Sequence, residues 1–567
     1  MKGLMQDWPL LVHTFIDHAS IHHGDREIVT RKVEGDIHRT NYSEIHSRSR
    51  KFSKALIKLG VKKSDVIGTL AWNTHRHLES WYGITGVGAV YHTLNPRLFL
   101  EQLEYIINHA ENKFIISDIS FVKILEGLEE KIPNVKGIIF LTDKENMPET
   151  SLKNVFCYEE MVDAEDDNFS WIKVGEGDAC GLCYTSGTTG NPKGVVLNYK
   201  INQNTDVMYT KDYNPLCVDF KGNNTFFSYL PMNHIAERIA IEFTAFKNGG
   251  VISFTESIDT FVKNLSEVQP SVFFGVPRIY TKFQLGILSK FSQKKLDFLL
   301  SIPVLSILIK KVLRKKLGLA KAKVIVSGAA AMQVAQRDWF KKIGVNITIG
   351  YGMTENCAVT TQLPGSNFNK PGSVGTVQPN VEIKIDQETE EILMRGPYVM
   401  LGYYNDTETT NNTIKNGWLH TGDKGLIDAD GHLYITGRVK DTFKTSKGEF
   451  IDPAKIEAKF GEVEYFDQMC VVGLGVPQPL MLVNISDVGK QLKEEELINK
   501  LIEKLESVNS ELFNYKRVST IIICKDSWTP QNGILTPTMK IKRGNVDKTY
   551  LDKYEKWHNA EQKIIWE

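Results

Sequence analysis

Short apolar runs separated by longer amphipathic stretches dominate the first three quarters of the chain. VIGTLAW (66–72), KFIISD (113–118) and GIIFL (137–141) have the length and β-branched content of buried strands. SEIHSRSRKFSKALIKLG (43–60) repeats its apolar positions at helical spacing. Alternation of this kind predicts βα units and mostly parallel sheets. After Asp423 the texture changes. GLIDADGHLYITGR places an Asp-Gly turn between two alternating segments, a hairpin signal. VVGLGVPQPLMLVNI reads as two strands around a turn, and EEELINKLIEKLES (494–507) as a helix. The expectation is an α/β chain: a large N-terminal domain over 1–437 and a small, mobile α+β domain over 438–567.

Composition narrows the class. The 567 residues carry 68 Lys+Arg against 68 Asp+Glu, a net charge of zero, which argues against wholesale nucleic-acid binding. Apolar residues at 42% and charged residues at 24% fit a folded domain with a sizeable core. The longest uncharged stretch, Gln468–Ser486, is broken by Gly, Pro and Asn, so no membrane-spanning helix is expected. The N-terminus lacks the h-region and cleavage site of a secretory signal. Seven cysteines include one CxxC, Cys180 and Cys183, with no second pair at zinc-site spacing. ACGLCYT reads as a buried strand, and a reducing, cytoplasmic setting fits.

The chemistry concentrates in Tyr184-Thr-Ser-Gly-Thr-Thr-Gly-Asn-Pro-Lys-Gly194. Gly, Ser and Thr leave backbone N–H groups and hydroxyls free to surround an anion, and Lys193 adds charge. The spacing is not that of a Walker A loop.

This string resembles the phosphate-loop signature of the adenylate-forming superfamily: acyl- and aryl-CoA synthetases, beetle luciferases and adenylation domains of peptide synthetases. LPMNHIAER (230–238), VPRIY (276–280), SGAAA (327–331), GYGMTE (350–355), EILMRGPYVMLGYY (391–404), GWLHTGD (417–423), GRVKDTFKTSKGEFI (437–451) and PTMKIKR (537–543) follow in the family's order. One departure is Asn198-Tyr199, where many relatives carry Ser/Thr-His.

The resemblance implies the following roles. Thr185, Ser186, Gly187, Thr188, Thr189, Gly190 and Lys193 bind phosphates. Gly328 and Ala329, with Ile349, Gly350 and Tyr351, wall the adenine. Thr354 donates to phosphate, and Glu355 with Thr185 holds Mg²⁺, which prefers hard oxygen ligands. Asp423 accepts from the ribose hydroxyls. Arg438 contacts the nucleotide, Lys440 is the hinge, and Lys444 and Glu449 approach the nucleotide or thioester site. Lys540 is the mobile catalytic lysine, and His234 lies beside the acyl site.

Segment 72–98 looks most like medium- or long-chain fatty acyl-CoA synthetases. The implied partners are therefore fatty acid, ATP and coenzyme A. Two other readings remain: a stand-alone ligase loading an acyl or amino acid onto a carrier protein, and, with less support, a luciferase-like oxygenase. Segment 294–323, apolar and then basic, either lies on a membrane surface or packs on its own domain. A homodimer is left open.

Overall fold

The computed structural model describes residues 9–567 apart from 186–190, 203–213, 215, 258, 363–369, 462, 464 and 537–538. Two large sheets organise the N-terminal part. One runs Val155–Cys157, Ile138–Phe140, Phe114–Ser117, Val66–Leu70, Val90–Thr93 and Ala179–Thr185, all parallel. It then adds Lys193–Asn198 and Gly402–Tyr403 antiparallel. The predicted strands at 66–72, 113–118 and 137–141 therefore sit side by side. The second sheet has a parallel interior of Glu27–Arg31, Val251–Phe254, Thr225–Ser228, Val272–Gly275, Val324–Ser327 and Ile347–Tyr351.

Beyond Tyr351 this sheet becomes antiparallel, from Thr361–Gln362 to the hairpin Trp418–Ile427/His432–Arg438. The parallel arrangement thus holds where helices separate the strands. It gives way where short turns such as the Asp-Gly at 430–431 join them.

The helix Tyr42–Lys58 covers the predicted 43–60 segment and is capped by Asn41, whose side chain accepts from the Glu44 N–H at 2.9 Å. It packs on His75–Gly86, every residue of which is buried. The main core cluster joins residues of both sheets, among them Ile28, Ile67, Ile84, Tyr91 and Phe226.

A separate C-terminal domain follows. Its sheet, Phe466–Val472, Leu480–Ile485, Thr520–Ile523 and Ile564–Trp566, shows what period-two alternation does. Met481 and Val483 point to one face, where Leu497, Leu501 and Leu505 of helix Glu494–Ser510 cover them. Leu480 and Leu482 point to the other, covered by Val546, Tyr550 and Tyr554 of helix Arg543–Asn559.

Cys180 and Cys183 lie on the Ala179–Thr185 strand as expected. Both are buried free thiols whose pKa burial raises, to about 11 for Cys183. Among the described residues no cluster of three or more His, Cys, Asp or Glu side chains could hold a metal ion.

Candidate active site

A cleft of about 3660 Å³ opens where the carboxyl ends of the parallel strands meet the C-terminal domain. Its floor is built by close backbone approach. Gly328 follows the Val324–Ser327 strand, and a Cβ there would lie 3.0 Å from the Gly350 carbonyl oxygen. Ala329 adopts φ 64°, a left-handed turn that swings the chain aside. Ile349, Gly350 and Tyr351 end the neighbouring strand and line the same wall.

The antiparallel hairpin supplies the next pair. Its register sets Asp423 opposite Arg438, and the side chains meet: Arg438 Nε donates to Asp423 Oδ1 at 2.7 Å. Tyr351 Oη donates to Asp423 Oδ2 at 2.8 Å. Burial works against the Arg438 charge, but the nearby Asp423 carboxylate outweighs it and holds the Arg438 pKa above the ordinary value.

Thr354 and Glu355 sit in one turn of 3₁₀-helix, Thr354–Asn356, and both line the cleft. Glu355 is 7% exposed, and Tyr403 Oη donates to its Oε1 at 2.8 Å. Burial raises its pKa, and its own backbone N–H and Tyr403 pull against that shift. Thr185, at the end of its strand, and Lys193, opposite it in register, line the cleft too. The Lys193 ammonium stands 5.3 Å from the Tyr403 ring centroid. Ser186, Gly187, Thr188, Thr189 and Gly190 lie outside the described residues.

Lys540 arrives from the C-terminal domain on a tight turn. Thr536 N donates to the Lys540 carbonyl at 2.7 Å, Lys540 N donates to Thr536 Oγ1 at 2.9 Å, and Met539 takes φ 66°. Lys540 Nζ donates to the Ala329 carbonyl at 2.7 Å, crossing from one domain to the other. The protein around it and the Arg438 charge lower its pKa.

His234 lines the cleft at the start of a short helix. Burial, with Arg97 and Lys540 adding to it, brings its pKa down to about 4, so it is neutral at pH 7. Behind it the wall turns apolar, with Ile235, Ile239, Ala240 and Phe274.

Lys440, in the 3₁₀ turn Val439–Asp441, and Lys444 line the outer cleft. Lys444 pairs with Phe450 across a two-stranded hairpin. Glu449 is exposed at the turn of that hairpin and is not among the lining residues.

Among the cleft residues that the sequence leaves unassigned, two stand against site residues. Tyr403, the partner of Glu355, is one of two adjacent tyrosines in LGYY, and only its pairing opposite Val195 selects it. Arg97 lines the cleft beside His234, and no local pattern marks it.

A large α/β domain and a smaller domain closing over it make up the architecture, and Lys540 reaches from the second to the first. Solved structures of adenylate-forming enzymes share the fold. The anthranilate CoA ligase AuaEII in complex with anthranoyl-AMP superposes at TM-score 0.78 and 20% identity, covering 97% of this chain and 100% of that one. ATP-bound MatB from Rhodopseudomonas palustris gives 0.74 and 22%, covering 95% and 99%.

The chain belongs to the AMP-binding enzyme family. The model of that family matches residues 16–404, and that of the AMP-binding enzyme C-terminal domain matches 440–562. It is 28% identical to a medium-chain-fatty-acid–CoA ligase of Ectopseudomonas oleovorans, over 81% of this chain and 83% of the relative. It is 27% identical to a long-chain-fatty-acid–CoA ligase of Thermus thermophilus, over 88% and 90%.

Proposed function

We propose that the chain is an AMP-forming fatty acyl-CoA synthetase acting on medium- or long-chain acids. A carboxylate oxygen attacks the α-phosphorus of ATP, the bond to the bridging oxygen breaks, and pyrophosphate leaves. The sulfur of coenzyme A then attacks the acyl carbon, and AMP leaves. The observation that carries the reading is the Lys540 ammonium held at the Ala329 carbonyl, on the wall that Gly350 and Tyr351 share.

Negative charge builds on the phosphoryl oxygens during adenylation, so preorganised cations and donors lower the barrier. Lys540 and Lys193 supply charge, Thr185 and Thr354 hydroxyls. Asp423, held by Arg438 and Tyr351, presents a fixed acceptor to the ribose. Glu355 offers a hard carboxylate oxygen and Thr185 a hydroxyl to the same cleft, donors of the kind that fit Mg²⁺ completed by phosphate oxygens. The cation, when bound, neutralises phosphoryl charge. His234, uncharged at pH 7, borders the apolar wall without attracting the substrate carboxylate. That wall favours longer chains, since each buried methylene contributes about 0.8 kcal/mol.

The thiol cannot reach the acyl carbon while Lys540 fills the approach, so the domain from about residue 438 onward turns about Lys440 between the half-reactions. Lys444 and Glu449 then face the thioester side.

Two measurements test this. In a panel with and without coenzyme A, C12–C18 acids should exceed acetate, benzoate and amino acids in kcat/KM. An amino or aryl acid ahead by about tenfold refutes the substrate class, and full turnover onto a carrier protein but not coenzyme A refutes the acceptor. Lys540→Ala should abolish adenylation yet convert premade acyl-AMP with coenzyme A to thioester. Equal loss of both half-reactions refutes the alternation.

A further inference from the structure

Nine lysines and arginines and one acid, Asp297, occupy residues 294–323 of a chain whose net charge is zero. The segment folds as two helices, Gln293–Ser301 and Pro303–Lys316, joined at Ile302. At 100° per residue the second helix has two unlike faces. Ser306, Leu313 and Leu317 turn inward. Leu313 and Leu317 join Leu296 of the first helix, Phe283 and Ile287 in a core cluster. The opposite face is apolar and uncovered: Val304 is 81% exposed, Ile307 71% and Leu308 57%. Phe298, 65% exposed, adds an aromatic ring from the first helix.

Farther along that same face, Lys311 and Lys315 replace the apolar residues, with Val312 beside them. None of Lys310, Lys311, Lys315 and Lys316 forms an ion pair among the described residues. Arg314, in contrast, is committed inward, to the carbonyls of Leu319 and Ala322. The packing of the hairpin on its own domain is therefore only half of what its sequence provides.

Uncovered large apolar residues mark an interaction surface. The charge decides its partner. A second copy of the same face would bring lysines and no carboxylate except Asp297, so self-association sets like charges together. An anionic bilayer complements both features. Apolar side chains enter the acyl boundary, and lysine stems follow them while the ammonium groups stay among headgroup phosphates. No helix among the described residues is long and apolar enough to cross a membrane, so contact is with one leaflet surface.

We propose that the exposed face of this helical hairpin docks the protein on the surface of an anionic phospholipid bilayer. The docked hairpin also sets the active-site cleft beside the lipid. Helix Pro277–Leu288 packs Phe283 and Ile287 against the hairpin and lines the cleft with Ile279, Phe283 and Leu285. The docking rests on the hairpin alone and stands or falls apart from the substrate assigned above.

The test is cosedimentation of the full-length chain with phosphatidylcholine vesicles, with or without about 30 mol% phosphatidylserine, at low and high salt. The wild type should bind the anionic vesicles at least about tenfold more tightly than the neutral ones. Ile307→Ser/Leu308→Ser and Lys311→Glu/Lys315→Glu should each weaken binding about tenfold or more, the second loss shrinking at high salt. Both pairs are exposed and outside the lining of the cleft, so pyrophosphate release with a water-soluble acid should match the wild type and certify the fold. Equal binding by wild type and the serine pair overturns the proposal, as does indifference to phosphatidylserine. Light scattering that shows a dimer lost in the serine pair, without vesicle binding, assigns the face to a second copy and also overturns it.

Discussion

Replacing Tyr403 by Phe removes a single oxygen from the cleft and should move the pH dependence of adenylation. The ring stays, and with it the stacking of Lys193. What goes is the donor 2.8 Å from Glu355 Oε1. Burial already raises the Glu355 pKa, and the Tyr403 hydroxyl is one of the groups holding it down. A hydrogen bond to a charged group is worth about 1.5–3 kcal/mol, so its loss disfavours the carboxylate by about that much and raises that pKa further. The hydroxyl favours the carboxylate. Without it the proton binds at higher pH, and the acid limb of kcat/KM for pyrophosphate release, which reports the free enzyme, moves up. Linkage adds a second readout. A folded pKa raised above the unfolded value means stability present below the unfolded pKa and lost as pH rises through the folded one. Tyr403→Phe should therefore lower the thermal midpoint relative to wild type at pH 8 and converge with it near pH 4. An acid limb that stays in place, or an equal thermal loss at both pH values, refutes the reasoning.

Glu355→Gln preserves shape and removes the charge, and adenylation should fall roughly a hundredfold with circular dichroism unchanged. A variant with near wild-type rate and the same Mg²⁺ requirement would place the cation elsewhere. Gly328→Val sets methyl groups against the Gly350 carbonyl and the Phe274 ring, whose carbons a Cβ would already approach to 3.4 Å. The KM for ATP should rise about tenfold or more while acyl-AMP thiolysis in the other conformation suffers less, a split that steady-state and half-reaction assays resolve. Cys180→Ala with Cys183→Ala should cost stability through lost packing, and the purified wild type should carry no stoichiometric zinc by elemental analysis.

Strand positions and the helices at 43–60 and 494–507 were legible because their apolar spacing matches one period throughout. The switch from parallel to antiparallel pairing after Tyr351 was not, since pairing partners depend on where the chain returns rather than on local pattern. Much of the site was legible for a different reason. Its residues sit in contiguous strings such as GYGMTE, where Gly352 lies against the Ala358 backbone, and GWLHTGD, where Gly417 and Gly422 take positive φ. Tyr403 and Arg97 escaped because each acts through a partner far away in sequence, 48 residues in the case of Tyr403 and Glu355. Segment 294–323 was legible only as two alternatives, membrane surface or packing on its own domain. An amphipathic helix has the same sequence whether its apolar side is covered or bare, and only the packed structure shows that this helix carries apolar residues on two sides.

Arg543 lies three residues after Lys540, at the start of the Arg543–Asn559 helix. Its Nε meets Asp441 Oδ2 at 3.1 Å, and its other nitrogens reach the Val471 carbonyl and the Glu457 carboxylate. Asp441 immediately follows Lys440, so this clasp binds the far side of the junction to the element that bears the lysine. In the proposed alternation, torsion entering the C-terminal domain would therefore be taken up before Asp441, and the residues after it would turn as one lever. Upstream, the cross-strand pair of Asp423 with Arg438 anchors the near side to the large domain in the same manner. Between the two clasps stand only Val439 and Lys440, so in the proposed alternation the arc of the Lys540 ammonium would be set by the φ and ψ angles of two residues.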